Sequence, residues 1–140
     1  MFRSVGAALA GMLAAALVVG LVESLSNSVY PAPAGLNPAD KVAMEAYMRS
    51  LPPGAFVMLL VGWFDGTMAG AFLATLMTGG RERWPSLAVA AAMLAGSLFT
   101  MMQIPHPPWV AMVGIALFFP AAAAGRWLHR RYVLRGQPAP

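Results

Sequence analysis

The chain has 140 residues, 59% of them hydrophobic, which leaves no room for a soluble domain beside its apolar segments. It contains no cysteine, which excludes disulfides, thiolate metal sites and a cysteine nucleophile. The net charge is +4, but the basic residues stand at the ends of apolar segments without interleaved aromatic residues, so we expect no nucleic-acid partner.

Four apolar segments are each long enough to cross a bilayer, whose hydrocarbon core of about 30 Å needs about 20 helical residues. Backbone polar groups in lipid must be satisfied within the protein, so these segments must be helices. We predict an all-α fold, a single membrane-embedded domain over residues 1–140 with the lipid bilayer as its surroundings. The predicted spans are approximately 4–28, 53–78, 84–103 and 108–129.

The first span contains an apolar run from Val5 to Val22, which is longer than the about 7–15 residues of a secretory signal. No clear A-x-A cleavage site follows, so we expect an uncleaved anchor. Gly6, Ala10 and Ala14 recur every four residues, and this side of the helix is expected to pack against another span.

A short amphipathic helix is predicted between the first two spans, at approximately 38–50. Asn37 is the expected N-cap, with Pro38 at the first helical position. We expect Val42 and Ala46 on its apolar side, with the helix lying on the membrane surface or capping the bundle. A solvated loop helix is the alternative.

The second span carries a stripe of glycines spaced by four residues: Gly62, Gly66 and Gly70. Such a stripe lets another helix approach closely, and packing drives helix association in lipid. We expect the first span to be the partner, since it offers a matching side, and a second molecule is the alternative.

Asp65 lies near the middle of the second span, where a charged acid costs about 2.5–3.5 kcal/mol. We expect it to face protein and to be protonated, with a main-chain carbonyl freed near Pro120 in the fourth span as a candidate acceptor. One interpretation is that Asp65 forms a hydrogen bond to a neighbouring helix. The other is that it is a site for a proton or a cation.

A second polar group is predicted at one end of the bundle. Glu23 and Asn27 share a face of the first span, and Gln103 and His106 should lie at a similar depth, with Tyr30 nearby. We interpret the group as a cap that ties loops to helix ends. The alternative is a site that shares a proton or binds a metal; no metal or cofactor is predicted.

Basic residues set the expected orientation. Seven of the nine flank one side: Arg3, Arg81, Arg83, Arg126, Arg130, Arg131 and Arg135. Only Lys41 and Arg49 flank the other. The positive-inside rule then places both termini in the cytoplasm and the amphipathic helix outside.

Two short stretches carry a resemblance: Tyr30-Pro-Ala-Pro-Ala-Gly-Leu36, which follows an acid near the end of the first span, and Ile104-Pro-His-Pro-Pro-Trp109. The chain resembles a group of small bacterial four-helix integral membrane proteins of unassigned function. The resemblance implies the fold and a bacterial inner (plasma) membrane. It implies no catalytic residues.

The expected function is non-enzymatic: an accessory or scaffolding subunit that packs against itself or a larger membrane complex. A small oligomeric proton-coupled transporter or channel that uses Asp65 and Glu23 is the alternative. A third hypothesis, an intramembrane enzyme, requires Glu23 and His106 to reach one lipid or quinone headgroup.

Overall fold

The structure is a computed structural model, and it describes residues 2–134. The described chain is helical, and four of its helices are long and apolar enough to cross a membrane. The elements are α1 (Phe2–Val29), α2 (Lys41–Ser50), α3 (Pro53–Thr78), α4 (Trp84–Gln103), α5 (Pro108–Leu128) and a π-helical segment (His129–Leu134). The predicted all-α bundle of four spanning helices is confirmed, and the bounds of the four lie within two residues of the predicted spans.

α3 lies at the centre of the bundle and packs against α1, α4 and α5. The start of α1 lies beside the end of α3, where the Arg3 Nε donates a hydrogen bond of 2.8 Å to the Met77 carbonyl. We call this the terminal end, since α1 begins here and α5 finishes here. The opposite end carries α2 and the 104–107 turn, and we call it the α2 end.

The glycine stripe of α3 packs on α1, as the spacing indicated. A Cβ built on Gly66 would lie 2.7 Å from a Val19 methyl carbon, and one on Gly62 would lie 3.1 Å from Val22. Further along, Gly70 faces Gly11.

The side of α1 in this contact differs from the expected one. Gly11 and Ala15 are buried, whereas Gly6 is exposed, with nothing within 4 Å of a Cβ built on it. Ala10 and Ala14 are only partly buried. α1 is so rich in small residues that a spacing of four fits more than one side, and the position of Gly70 on α3 selects the side that holds Gly11.

The start of α2 also differs from the prediction. Asp40 is the N-cap, and its carboxylate accepts hydrogen bonds from the backbone N–H groups of Val42 (3.0 Å) and Ala43 (3.1 Å). Asn37 instead accepts from the Ala39 N–H at 3.0 Å in a turn before the helix. Asn and Asp are both favoured N-cap residues. Here Asn37 stabilises the turn at Pro38, and Asp40 caps the helix that follows.

α5 packs against α3 through two glycines of its own. A Cβ on Gly114 would lie 2.8 Å from the ring of Trp63, and one on Gly125 would clash with the Met68 carbonyl oxygen. The helix continues through Pro120, whose ring faces outward and is exposed. Thus small residues join α3 to a neighbour on each of two sides.

Candidate ligand cavity at the α2 end

A cavity of about 520 Å³ lies at the α2 end, between the last turns of α1, the 32–38 segment, α2 and the first half of α3. Its walls are mostly apolar side chains: Val22, Leu36, Met44, Met48, Leu51, Phe56, Met58 and Leu59. Its polar lining side chains are Glu23, Ser26, Asn27, Tyr30, Tyr47, Thr100 and His106. The site therefore combines an apolar body with a polar portion, which is typical of pockets for small organic ligands.

α2 covers this cavity with one face. Met44 is only 8% exposed, and Tyr47 and Met48 line the cavity beside it. Positions i, i+3 and i+4 of a helix share a face. The side that holds Val42 and Ala46 does not face the bundle, because Val42 is 79% exposed and Ala46 is exposed as well. The long, flexible methionines fill the uneven surface under α2 better than the shorter Val42 and Ala46.

Tyr30 is positioned by a glycine at the start of α3. A Cβ built on Gly54 would lie 2.6 Å from the Tyr30 hydroxyl oxygen, so only glycine leaves room for the phenol here. The backbone N–H of Tyr30 donates to the Ser26 carbonyl at 2.8 Å, which continues the helical geometry of α1 to this residue. The phenol is thus held at the cavity wall.

His106 is fixed by the turn between α4 and α5. Its Nδ1 lies 2.7 Å from the Ile104 carbonyl oxygen, and since a carbonyl only accepts, Nδ1 carries the proton. In the neutral ring, Nε2 is then the hydrogen-bond acceptor. The ring packs against Phe56 and Trp63, each with a centroid separation of 6.5 Å.

The rings of Phe56 and Trp63 contact further aromatic side chains. Phe56 meets Trp109 at 6.1 Å, and Trp63 meets Phe118 at 5.8 Å inside the bundle. Aromatic pairs at such separations add to the stabilisation from burial. His106 therefore lies at the wall of the cavity against packed aromatic rings, and its hydrogen bond to Ile104 fixes its tautomer.

Among the described residues that line the cavity, Glu23 is the only one with a formal charge. Within residues 2–134 its carboxyl group has no hydrogen-bond partner, and no Lys or Arg side chain lines the cavity with it. The electrostatic character of the polar portion is therefore acidic, with further acceptor capacity from His106, Tyr30 and Asn27.

The structure brings most of the predicted polar group together. Glu23, Asn27, Tyr30 and His106 line one cavity, but Gln103 does not line it and is exposed. In the part of the chain that is described, no group of three or more His, Asp or Glu side chains is arranged to hold a metal.

Asp65 lies apart from this cavity and is partly buried. It stands one turn after Val61, which is 48% exposed, and on the opposite side of α3 from the buried Thr67. No hydrogen bond to its carboxyl group occurs among the described residues, so the expected acceptor near Pro120 is not its partner. Pro120 itself faces outward from α5.

Tyr47, Met44 and Phe56 belong to the cavity but were not singled out from the sequence. Met44, Tyr47 and Met48 follow the i, i+3, i+4 spacing of one helix face, which is the signal that marks them. Phe56 carries no such signal, since α3 is apolar on every side.

Comparison with known proteins gives no match: no family model, curated protein or solved structure matches the chain. The chain is a multi-pass membrane protein by its four spanning helices.

Proposed function

We propose that this chain is a non-catalytic accessory protein of a bacterial inner membrane that binds one amphiphilic molecule in the cavity under α2. The observation that carries the proposal is the cavity itself, with methionine and aromatic walls and a polar portion at one end of the spanning helices. A molecule with an apolar chain and a polar headgroup matches both parts. The walls would take the chain, as in other largely apolar pockets.

The charge of the lining favours a particular headgroup. Glu23 is the one carboxylic acid among the described lining residues, and no Lys or Arg side chain is among them to balance it. An anionic headgroup would meet like charge, whereas a cationic or neutral headgroup with hydrogen-bond donors would find acceptors at Glu23 and at Nε2 of His106. We therefore infer a hydroxyl-bearing or amine-bearing amphiphile.

Binding without catalysis is favoured by the hydrogen bonds around the cavity. A nucleophile needs a base within hydrogen-bond reach and a third group that orients the base. Ser26 and Tyr30 make no side-chain hydrogen bond to Glu23 or His106 among the described residues. An accessory role also agrees with the short segments between the spanning helices, which leave no room for a soluble catalytic domain. The longest of these segments includes α2.

The orientation belongs to the same proposal. With both termini in the cytoplasm, the cavity opens at the outer side of the membrane, and the amphiphile comes from the outer leaflet or from the space beyond it. The seven-to-two split of basic residues supports this orientation.

A pair of matched substitutions tests binding. Ser26→Trp places an indole inside the cavity, because Ser26 lines it, while Ser24→Trp places the same group on an exposed position of the same helix. Amphiphiles that remain with the purified protein are extracted and quantified by mass spectrometry. We expect the parent and Ser24→Trp to retain one molecule per chain and Ser26→Trp to lose it. Equal retention by both variants would refute the proposal.

A proton-coupled transporter that uses Asp65 and Glu23 is the second candidate. The observation in its favour is the Asp65 carboxyl group in the middle of a spanning helix, without a hydrogen bond from any described residue. Asp65 does not line the cavity that holds Glu23. The two acids therefore do not share one site.

A further inference from the structure

A second cavity, of about 370 Å³, lies at the terminal end, on the opposite side of the membrane from the cavity under α2. We call it the arginine cavity. Its lining residues come from α1, the end of α3, the following turn and the π-helical segment: Arg3, Leu76, Thr78, Gly79, Arg81, His129 and Val133. Two arginines and one histidine therefore converge there, and no carboxylate is among the described residues that line it.

His129 is the unusual member of this group. It is 1% exposed, and its Nδ1 is a buried polar atom with no hydrogen-bond partner among the described residues. Such an atom is unfavourable in a folded protein, and native structures nearly always give it a partner. His129 is also the residue at which α5 changes to π-helical geometry, which is often found at functional sites.

The turn after α3 fits around this histidine. Gly79 and Gly80 have φ angles of +63° and +73°, a conformation that favours glycine. A Cβ on Gly80 would lie 3.3 Å from Cε1 and 3.5 Å from Nδ1 of His129, so a larger residue would press on the ring. The turn then places Arg81 at the same cavity.

A single hydrogen bond positions Arg3 and leaves most of its guanidinium donors available to a ligand. Its Nε donates to the Met77 carbonyl at 2.8 Å, and no other hydrogen bond from this side chain occurs among the described residues. The two amino groups of the guanidinium are therefore free to donate. Arg81 is exposed, and its side chain donates no hydrogen bond in the described part of the chain.

The nearest acid in sequence does not neutralise these arginines by direct pairing. Glu82 accepts hydrogen bonds from Ser4 (2.8 Å) and from the Trp84 indole (2.6 Å), so its carboxylate is engaged with them. The described residues contain a single ion pair, Arg49–Glu45, which lies at the α2 end. The arginine cavity thus combines positive charge with an imidazole whose Nδ1 has no hydrogen-bond partner within residues 2–134.

We propose that the arginine cavity binds a terminal phosphate group, such as a monoester, which carries more negative charge than a diester. Arg3 and Arg81 would donate charge-assisted hydrogen bonds to its oxygens, the geometry for which guanidinium groups are suited. The imidazole of His129 lines the same cavity and would be a third polar group beside the phosphate. The cavity lies at the end of the spanning helices, so the phosphate belongs either to a lipid headgroup or to a soluble molecule.

Two kinds of probe distinguish these sources. The full chain is placed in phosphatidylcholine nanodiscs doped with a minor fraction of phosphatidic acid, and lipids retained after detergent extraction are identified by native mass spectrometry. In parallel, the protein in pure phosphatidylcholine nanodiscs is titrated with inorganic phosphate while its melting temperature is followed. Selective retention of phosphatidic acid assigns the site to a lipid. A saturable rise in melting temperature with inorganic phosphate alone assigns it to a soluble phosphate.

Single substitutions separate a built site from general attraction to anions. Arg3→Gln and Arg81→Gln should each weaken retention or phosphate affinity about tenfold, as expected for loss of one charge-assisted contact. Arg130→Gln is the control, because Arg130 is exposed at the same end and lines a different cavity. Since all three arginines are accessible, the variants should keep the helical content of the parent, which circular dichroism checks.

Two results would overturn the proposal that the arginine cavity binds phosphate. An equal loss in Arg130→Gln would mean that only the basic character of this end attracts anions, and the proposal would be overturned. Absence of both retained phosphatidic acid and a phosphate-dependent melting temperature would overturn it too. His129→Asn gives an independent measurement, since it should reduce phosphate binding even though both arginines remain.

Discussion

Gly11 of α1 and Gly70 of α3 face each other so closely that neither position has room for a methyl group. A Cβ built on Gly11 would lie 2.6 Å from the Gly70 carbonyl oxygen, and one built on Gly70 would clash with the carbonyl oxygen of Gly11. Each backbone therefore rests on the other. In lipid, where helices gain nothing from burying apolar surface against one another, such backbone contact is a main source of helix association.

Gly11→Ala should destabilise the bundle for this reason, although alanine is the better helix former by about 1 kcal/mol. Overpacking of this kind costs about 1–3 kcal/mol. Gly6→Ala is the matched control on the same helix, since a Cβ there meets nothing within 4 Å. Melting temperatures in one detergent should fall for Gly11→Ala and stay level or rise for Gly6→Ala. The reverse order would show that the α1–α3 contact is not as described.

This contact illustrates what the sequence could and could not predict. Hydropathy and length determine that α1 and α3 are spanning helices, and the stripe through Gly66 marks a packing side of α3. The rotation of α1 could not be predicted, because Gly6 and Gly11 lie in the same run of small residues and only the shape of α3 selects between them. In α2 the partners under the helix likewise decide that Met44 is buried and Val42 is not.

Glu82 makes stability depend on pH at the terminal end. Hydrogen bonds from Ser4 and then Trp84 hold the pKa of this carboxyl group below its usual value. A lowered pKa in the folded state stabilises the protein above the unfolded pKa of about 4.3, and this contribution is lost as the pH falls through the folded value.

Ser4→Ala should therefore flatten the loss of melting temperature as the pH is lowered below about 5. The other carboxyl groups titrate alike in parent and variant, so the difference between the two curves isolates Glu82. Parallel curves over the acidic range would contradict the role given to the Ser4 hydroxyl.

The orientation can be tested because the chain has no native cysteine. Ala39→Cys and Arg83→Cys introduce thiols at exposed positions near the α2 end and the terminal end, respectively. A membrane-impermeant thiol reagent added to intact cells should label the first variant only, since the terminal end carries the excess of arginines. Labelling of Arg83→Cys from outside would invert the proposed topology.

Asp65→Asn separates the two proposed functions. Asparagine keeps a hydrogen-bond donor and the size of a protonated aspartic acid, so the melting temperature and the retained amphiphile should stay as in the parent. Proton uptake by proteoliposomes, followed with a pH-sensitive dye, is the second measurement. A proton flux that is present in the parent and absent in Asp65→Asn would favour the transporter over the accessory protein.

The two cavities differ in how far the sequence could predict them. Counting residues along antiparallel spans places Glu23 and His106 at one depth, and both line one cavity in the structure. The arginine cavity could not be found in this way, because the positive-inside rule already accounts for Arg3 and Arg81. What distinguishes that site is the burial of His129 with no hydrogen-bond partner for Nδ1 among residues 2–134, which only the three-dimensional structure reveals.

The most direct test of the central claim uses the methionine methyl groups as reporters. A neutral amphiphile with a nitroxide in its chain is added at one equivalent to protein with ¹³C-labelled methionine methyls in detergent. Met44 and Met48 line the cavity, while Met102 is 84% exposed at the end of α4 that lies on the same side of the membrane. We expect the signals of Met44 and Met48 to broaden before that of Met102, and Ser26→Trp to abolish this preference. Broadening of Met102 first, with Met44 and Met48 unaffected, would contradict an amphiphile-binding cavity.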